Sequence, residues 1–351
     1  MRLINISTFP PPIGGISKFI KRLKEHTENS DIETIFYDIS GIAKEEKEKQ
    51  GIICFGIIKT FLDVFLKKKS IVILHSVRPA AIIGCWILGI KHTSVLMLHN
   101  ERIFGERKSL KDKIINYFFK RINYYIAVSE NIKDRLIKES MIGEKKIYVF
   151  EPYLLSDLYS SPINEKKLFE LRKKVDFLIY SYAYKWEVYL DEDLYGTDMV
   201  VDLVIRLQKN GYNAGAILQI PNHENVPLYI ELVRKIKEAG LEEKILFLPK
   251  YYESSKDFYT IADVHIRATN TDGCSTSIFE SLMYGTPTIA SDCVPRFDGT
   301  ILFKNRNINS LYEITKETID NLKEYKEKLK EMNFFDSKEK LYKILFEIQN
   351  K

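Results

Sequence analysis

The stretch TNTDGCSTSIFESL, running from Thr269 to Leu282, sets Ser275, Thr276 and Ser277 just after an Asp272-Gly273 turn signal and just before an apolar helical pattern. The first turn of a helix has four backbone N–H groups without intrahelical partners and about half a positive charge, so a diphosphate is well matched there. Hydroxyls add donors without bulk. Glu280 then has two alternative jobs. If Ser277 is the cap, Ser277-Ile278-Phe279-Glu280 is a capping box and the carboxylate reaches back to the Ser277 amide. If the helix begins near Ser275, Glu280 lies in its second turn, placed for a ribose hydroxyl while the amides hold phosphate. Three successive hydroxyls exceed the needs of one cap, which favours the second arrangement.

Pro10-Pro11-Pro12-Ile13-Gly14-Gly15-Ile16-Ser17 is the second such feature. Paired glycines let backbone approach a ligand with no Cβ in the way, and amides beyond them point at anionic groups; a tight strand-to-helix turn is the plainer alternative. The spacing is not GxGxxG, so a dinucleotide fingerprint is absent. Other patterns fall away. Asp191-Glu192-Asp193 looks like a metal-binding DxD but sits in an acidic stretch and reads as a solvated loop. The six histidines have no metal-ligand spacing, and neither a GxSxG elbow nor a GKS/GKT phosphate loop is present.

The elements that must position these residues alternate. RLINIST, SIVILHS, HTSVLMLHN and YYIAVS are strand-like runs, each followed by a helical pattern; the helices begin at Ile16, at Ala80, in a basic segment near INYFF and at Glu130. The alternation predicts a parallel sheet with crossover helices. It recurs in VDFLIYSYA, a helix over 198–209, NAGAILQI, a helix through 230–239, KILFLPK, DVHIRAT, the helix of the opening stretch, and TPTIASD. The expectation is an α/β protein of two doubly wound units, 1–153 and 165–336. A Pro- and Ser-containing linker from Glu151 to Pro162 joins them, and an amphipathic helix over 337–351 completes the first. KEEKEKQ at 44–50 reads as a charged, solvated helix or loop.

The chain has 351 residues, 45% hydrophobic and 29% charged, enough to bury real cores. Its four cysteines are far apart with no CxxC pair, which suggests neither a zinc site nor a disulfide framework and predicts a reducing cytoplasm. No signal-peptide pattern opens the sequence, and the apolar run Ala80–Ile90 is too short to span a bilayer. Residues 1–151 hold 26 Lys/Arg against 17 Asp/Glu, an excess of nine, whereas the rest carries −4. Lys67, Lys68, Lys69, Arg107, Lys108, Lys111, Lys113, Lys120 and Arg121 interleave with large apolar groups, so two readings stand. One is a solvated helix face over a core; the other is a face resting on the inner surface of the cell membrane through anionic lipid. No nucleic-acid motif accompanies the charge.

Asp272, seven residues, then Glu280, an apolar helix, Gly285-Thr286-Pro287 and IASD resembles the acidic-x7-Glu element of the retaining GT-B glycosyltransferases, family 4 in particular, in a form similar to its capsular and surface-polysaccharide branch. The element usually begins with Glu; here it begins with Asp272. The Gly14-Gly15 loop, strands ending in His75 and His99, YYIAVSE and IYVFEPY follow in matching order, so the resemblance spans nearly the whole chain, although only the C-terminal element is specific. It implies two Rossmann-like domains facing across a cleft. The second would bind the nucleotide-sugar, a UDP- or GDP-sugar, and the first a lipid-linked or saccharide acceptor. Catalysis would need neither metal nor further cofactor.

On that resemblance Asp272 faces sugar hydroxyls, Glu280 the ribose, and His99 the donor sugar. Gly14, Gly15, Gly273, Ser275, Thr276 and Ser277 contribute to donor binding. The family usually adds an Arg and a Lys-Gly step after the first strand of the second domain. This chain has Tyr195-Gly196 there and no arginine, which leaves Lys185 as a candidate and Arg267 as a substitute charge. Two other classes share the architecture: a sugar-nucleotide epimerase or phosphorylase, and a non-catalytic nucleotide-sugar-binding subunit.

Overall fold

The computed structural model describes residues 1–351 except 12–13, 29, 101–102, 105–108, 155–162, 164, 222–225, 253 and 335, and the side chain of Leu110. The chain divides into two units, Met1–Asp157 with Phe335–Lys351, and Leu158–Phe334.

The first unit has seven parallel strands: β1 Arg2–Ser7, β2 Glu33–Asp38, β3 Ile53–Cys54, β4 Ile71–Leu74, β5 Thr93–Leu98, β6 Tyr124–Ala127 and β7 Ile147–Val149. They are ordered β3-β2-β1-β4-β5-β6-β7. Six helices connect them: α1 Gly15–Glu28, α2 Lys44–Lys49, α3 Ile57–Leu66, α4 Pro79–Leu88, α5 Leu110–Phe119 and α6 Glu130–Lys138. Helices cover both faces of such a sheet, so its strands read as continuous apolar runs; every residue of β4 is buried. The strand order reverses between β1 and β4, so the loops after these two strands open at the switch point where such sheets bind ligands.

The C-terminal helix, Lys338–Gln349, belongs to this unit and buries Leu341, Ile344, Leu345 and Ile348. The described start of the expected linker is anchored here: Tyr153 and Leu154 are buried, and the Leu154 and Tyr153 carbonyls accept from Arg22 Nη1 at 3.0 Å and Ser337 N at 3.1 Å. The remainder of the linker lies outside the described residues. KEEKEKQ forms the expected solvated helix with one exception. Lys47 is wholly buried in α2, 2.9 Å from Asp38 Oδ1 and 2.8 Å from Ser40 Oγ, because a buried ammonium needs a carboxylate and Asp38 ends β2 beside it.

The second unit holds six parallel strands: β8 Phe177–Tyr182, β11 Ala214–Gln219, β12 Ile245–Leu248, β13 Val264–Arg267, β14 Thr288–Ser291 and β15 Ile301–Phe303. They are ordered β12-β11-β8-β13-β14-β15, with a small antiparallel hairpin, β9 Val188–Tyr189 and β10 Glu192–Asp193, as a separate ladder. Helices α7 Lys166–Lys174, α8 Thr197–Lys209, α9 Pro227–Glu238, α10 Lys256–Ile261, α11 Thr276–Met283, α12 Ile308–Asp320 and α13 Leu322–Glu331 pack around the sheet. In α8, Val200, Leu203, Val204 and Leu207 recur at helical spacing and enter a core with Ile179, Leu218, Val264 and Ile266. The strand order here reverses between β8 and β13.

Candidate functional site

The switch point of the second unit brings together the residues after β8 and those after β13. Helix α11 begins at Thr276 with Ser275 as its N-cap. Ser275 makes no side-chain capping hydrogen bond, its Oγ facing Ser277 Oγ at 3.0 Å, and Ser277 lies inside the helix. The Ser277–Glu280 capping box is therefore not formed. Glu280 lies in the second turn, 9% exposed, and is close enough to Tyr259 that its charge, after burial itself, pushes the tyrosine hydroxyl well above the ordinary phenol range.

Just before the helix lies a buried ionic cluster. Arg267 Nε and Nη2 donate to the two oxygens of Asp272 at 3.0 and 3.2 Å, and its Nη1 reaches the Tyr182 carbonyl at the end of β8 at 3.4 Å. Arg296 Nη1 donates to Asp272 Oδ2 at 2.8 Å; its Nη2 meets Thr269 Oγ1 at 3.1 Å and Ser291 Oγ at 3.0 Å, and its Nε meets the Ser291 carbonyl at 2.9 Å. Burial works against the Asp272 charge, but Arg267 and Arg296 outweigh it and hold the carboxyl down at about 2. Burial likewise opposes the Arg267 charge, and Asp272 more than restores it. Two guanidinium groups against one carboxylate leave a net positive charge sealed beneath the mouth of α11.

Two expectations change accordingly. Asp272 was expected to face sugar hydroxyls, but its oxygens already accept from two arginines, from Thr269 Oγ1 at 3.2 Å and from the Gly273 amide at 3.0 Å. Arg267 was expected to replace a diphosphate ligand, yet its guanidinium is held by Asp272 and the Tyr182 carbonyl. Arg296, which the sequence reading missed, completes the cluster. A lone arginine after Val294-Pro295 in a loop gives no sign that it is buried, and Asp272 and Thr269 lie 24 and 27 positions before it.

Lys185 follows β8; its ammonium is half-exposed and 3.5 Å from Glu187. The Asp191-Glu192-Asp193 reading also needs correction. Leu190 and Asp191 take positive φ at the hairpin turn, and Asp193 is buried, accepting from the Thr197 amide at 2.6 Å and the Tyr195 amide at 3.1 Å at the start of α8. A carboxylate there satisfies orphan helix N–H groups, which is why it is not solvated. Gly196 fits closely against the site: its φ is +67° and an added Cβ would lie 2.2 Å from the Ala268 carbonyl.

In the first unit, the ends of β4 and β5 bring His75 and His99 together beside Asn5 of β1. His75 Nδ1 lies 2.9 Å from His99 Nε2, and His75 Nε2 lies 3.2 Å from Asn5 Oδ1. Burial, reinforced for His75 by His99, lowers both below the usual histidine range, His99 to about 4, so both are neutral at pH 7. With both rings neutral, Asn5 Oδ1 fixes His75 as donor on Nε2, so His99 donates from Nε2 to His75 Nδ1. Gly14 donates to Ser17 Oγ at 2.8 Å as α1 begins; a Cβ at Gly14 or Gly15 would meet open space, so internal packing does not demand glycine at either. Of the basic face, Arg107 and Lys108 lie outside the described residues. Among the described residues, no group of three or more His, Cys, Asp or Glu is placed to hold a metal ion, and no helix is long and apolar enough to cross a membrane.

No protein-family model matches this sequence. No curated protein matches it either. Solved structures do. HepE of Anabaena in complex with UDP aligns over 100% of both chains with a TM-score of 0.76 and 14% identity. A glycosyltransferase from Rickettsia africae covers 99% of this chain and 98% of its own, with a TM-score of 0.74 and 15% identity. An α,α-trehalose-phosphate synthase (UDP-forming) from Burkholderia vietnamiensis covers 99% of this chain and 100% of its own, with a TM-score of 0.67 and 11% identity. The fold is GT-B, two parallel-sheet α/β domains of seven and six strands.

Proposed function

We propose that this protein is a glycosyltransferase that moves a sugar from a nucleoside diphosphate donor to an acceptor hydroxyl, with retention at the anomeric carbon. One observation carries the reading. A helix N-terminus whose N-cap hydroxyl does not cap it sits at a topological switch point over a buried cluster with net positive charge. Fixed amides and a sealed charge are what a diphosphate leaving group needs, since catalysis of this transfer rests on stabilising the negative charge that grows as the glycosidic bond breaks. HepE has been solved with UDP and with UDP-glucose, which favours a uridine donor.

In this account the amides of Ser275, Thr276 and Ser277 hold the diphosphate, with Gly273 allowing close approach. Glu280 takes the ribose hydroxyls and Lys185 turns to the outer phosphate. The acceptor oxygen bonds to the anomeric carbon on the face from which the phosphate departs. The carbon–oxygen bond to phosphate breaks, and the acceptor proton passes to the leaving phosphate oxygen. Products are a glycoside and a nucleoside diphosphate. The first unit binds the acceptor, a lipid-linked or saccharide intermediate of surface-polysaccharide assembly. The test is a thermal-shift screen of UDP- and GDP-sugars, followed by transfer from the best donor to lipid-diphosphate-linked sugars with the product anomer read by NMR. Donor turnover that needs no acceptor would point to an epimerase, binding without turnover to a non-catalytic subunit, and an inverted product would overturn retention.

A further inference from the structure

The two histidines of the first unit belong to a longer polar line that runs from the core to the surface. It begins at Asn5 on β1, which is fully buried, passes through His75, which is 5% exposed, and ends at His99, partly exposed at the carboxyl end of β5. The Phe19 ring of α1 packs against both imidazoles, its centroid 5.9 Å from that of His75 and 5.5 Å from that of His99. One end of the line is sealed, and the other opens beside the switch-point loops.

Each link constrains the next. An amide oxygen only accepts, so Asn5 Oδ1 requires the hydrogen of His75 on Nε2, and a neutral imidazole then carries a lone pair on Nδ1. That lone pair lies 2.9 Å from His99 Nε2 and requires the hydrogen of His99 there. His99 Nδ1 is left as an acceptor, and it has no hydrogen-bond partner among the described residues. Burial lowers the ring to about 4, so this nitrogen accepts a hydrogen bond at pH 7 without taking up a proton. Such an atom pairs with a hydroxyl or an N–H and repels the oxygens of a phosphate or carboxylate. A saccharide offers it a dense array of hydroxyl donors.

We propose that Asn5 and His75 are positioning residues that hold His99 in the tautomer whose Nδ1 lone pair accepts from a sugar hydroxyl at the mouth of the first unit. The sugar as ligand rests on the transferase reading; the tautomer does not. Asn5 and His75 themselves touch no ligand. Their effect passes through the position of one proton on His99, which distinguishes it from packing, where an apolar side chain of similar volume would serve as well.

The test is long-range proton–nitrogen NMR correlation of the full chain with isotope-labelled histidine, in which protonated and unprotonated ring nitrogens resonate far apart. The chain has six histidines, and the spectra of His75→Leu and His99→Gln identify the two rings by difference. We expect wild-type His99 to be protonated on Nε2 and bare on Nδ1. His75→Leu removes the acceptor and should turn His99 into a mixture of tautomers. It should also lower kcat/KM for transfer from UDP-glucose to lipid-diphosphate-linked glucose about fivefold, the worth of one neutral hydrogen bond. His75→Asn places an amide oxygen near the lost Nδ1 and should restore both. Wild-type His99 protonated on Nδ1 would overturn the proposal, as would His75→Leu with the tautomer or the kcat/KM of wild type, or His75→Asn no better than His75→Leu. Wild-type protein that transfers no sugar would count against the transferase reading, and the proton position on His99 would still decide the proposal.

Discussion

Asp272→Asn puts the ionic cluster to a severe test, because it removes the one negative charge that Arg267 and Arg296 share. Removing one partner of a buried ion pair costs about 3–5 kcal/mol, since the other charge stays buried without compensation. Here two like charges would remain, so the upper part of that range applies. The depressed carboxyl gives a second magnitude. The carboxyl falls from an ordinary 3.8 to about 2 on folding, equivalent to about 2.5 kcal/mol at roughly 1.36 kcal/mol per pKa unit. A folded pKa below the unfolded one stabilises above the unfolded value, so the contribution is complete above about pH 4 and is lost as pH falls through about 2. The protein has two tryptophans, Trp86 in the first unit and Trp186 in the second. Urea unfolding followed by Trp186 fluorescence in a Trp86→Phe background therefore reports the second unit alone. Asp272→Asn should lose several kcal/mol at pH 7, and the gap from its parent should shrink as the pH approaches 2. A loss below about 1 kcal/mol at pH 7, or a gap that does not change with pH, would refute the buried cluster.

Glu280→Gln should weaken UDP binding about tenfold or more, the worth of a charged hydrogen bond to ribose, with little change in melting temperature; calorimetry and thermal shift read the two separately. Lys185→Ala should lower kcat and leave stability unchanged, because an exposed pair such as Lys185–Glu187 contributes about 0–1 kcal/mol; unchanged kinetics would remove Lys185 from the site. The His75–His99 pair is held neutral by burial, so its contribution to stability is complete above about pH 6.5 and declines toward pH 4. His99→Leu should flatten that part of the melting-temperature profile between pH 7 and pH 4.

The long elements were legible because their apolar periodicity is strong. The 198–209 helix is α8, Thr197–Lys209, and DVHIRAT supplies β13, both nearly as read. ETIFYD, which is β2, escaped notice because half its residues are polar and its outer end is exposed. The two-residue β3 and three-residue β15 exist only through their neighbours in the sheet. At the site, the position of α11 and the second-turn placement of Glu280 followed from local helix chemistry. The charge pairing did not. Asp272 meets Arg296 across 24 positions, and Asp38 meets Lys47 through the end of β2, so residues that look solvated in sequence become buried partners in space. A spacing motif such as acidic-x7-Glu fixes the order of its residues, while the tertiary fold decides what Asp272 pairs with.

The central claim is that the mouth of α11 holds a nucleoside diphosphate. A crystal structure of the protein soaked with UDP tests it directly. The account predicts diphosphate oxygens within hydrogen-bond distance of the backbone amides of residues 275–277, with the ribose on Glu280 and the Arg267–Asp272–Arg296 cluster undisturbed beneath. A diphosphate bound elsewhere, or one that draws Arg267 away from Asp272 to bind it directly, would contradict the account.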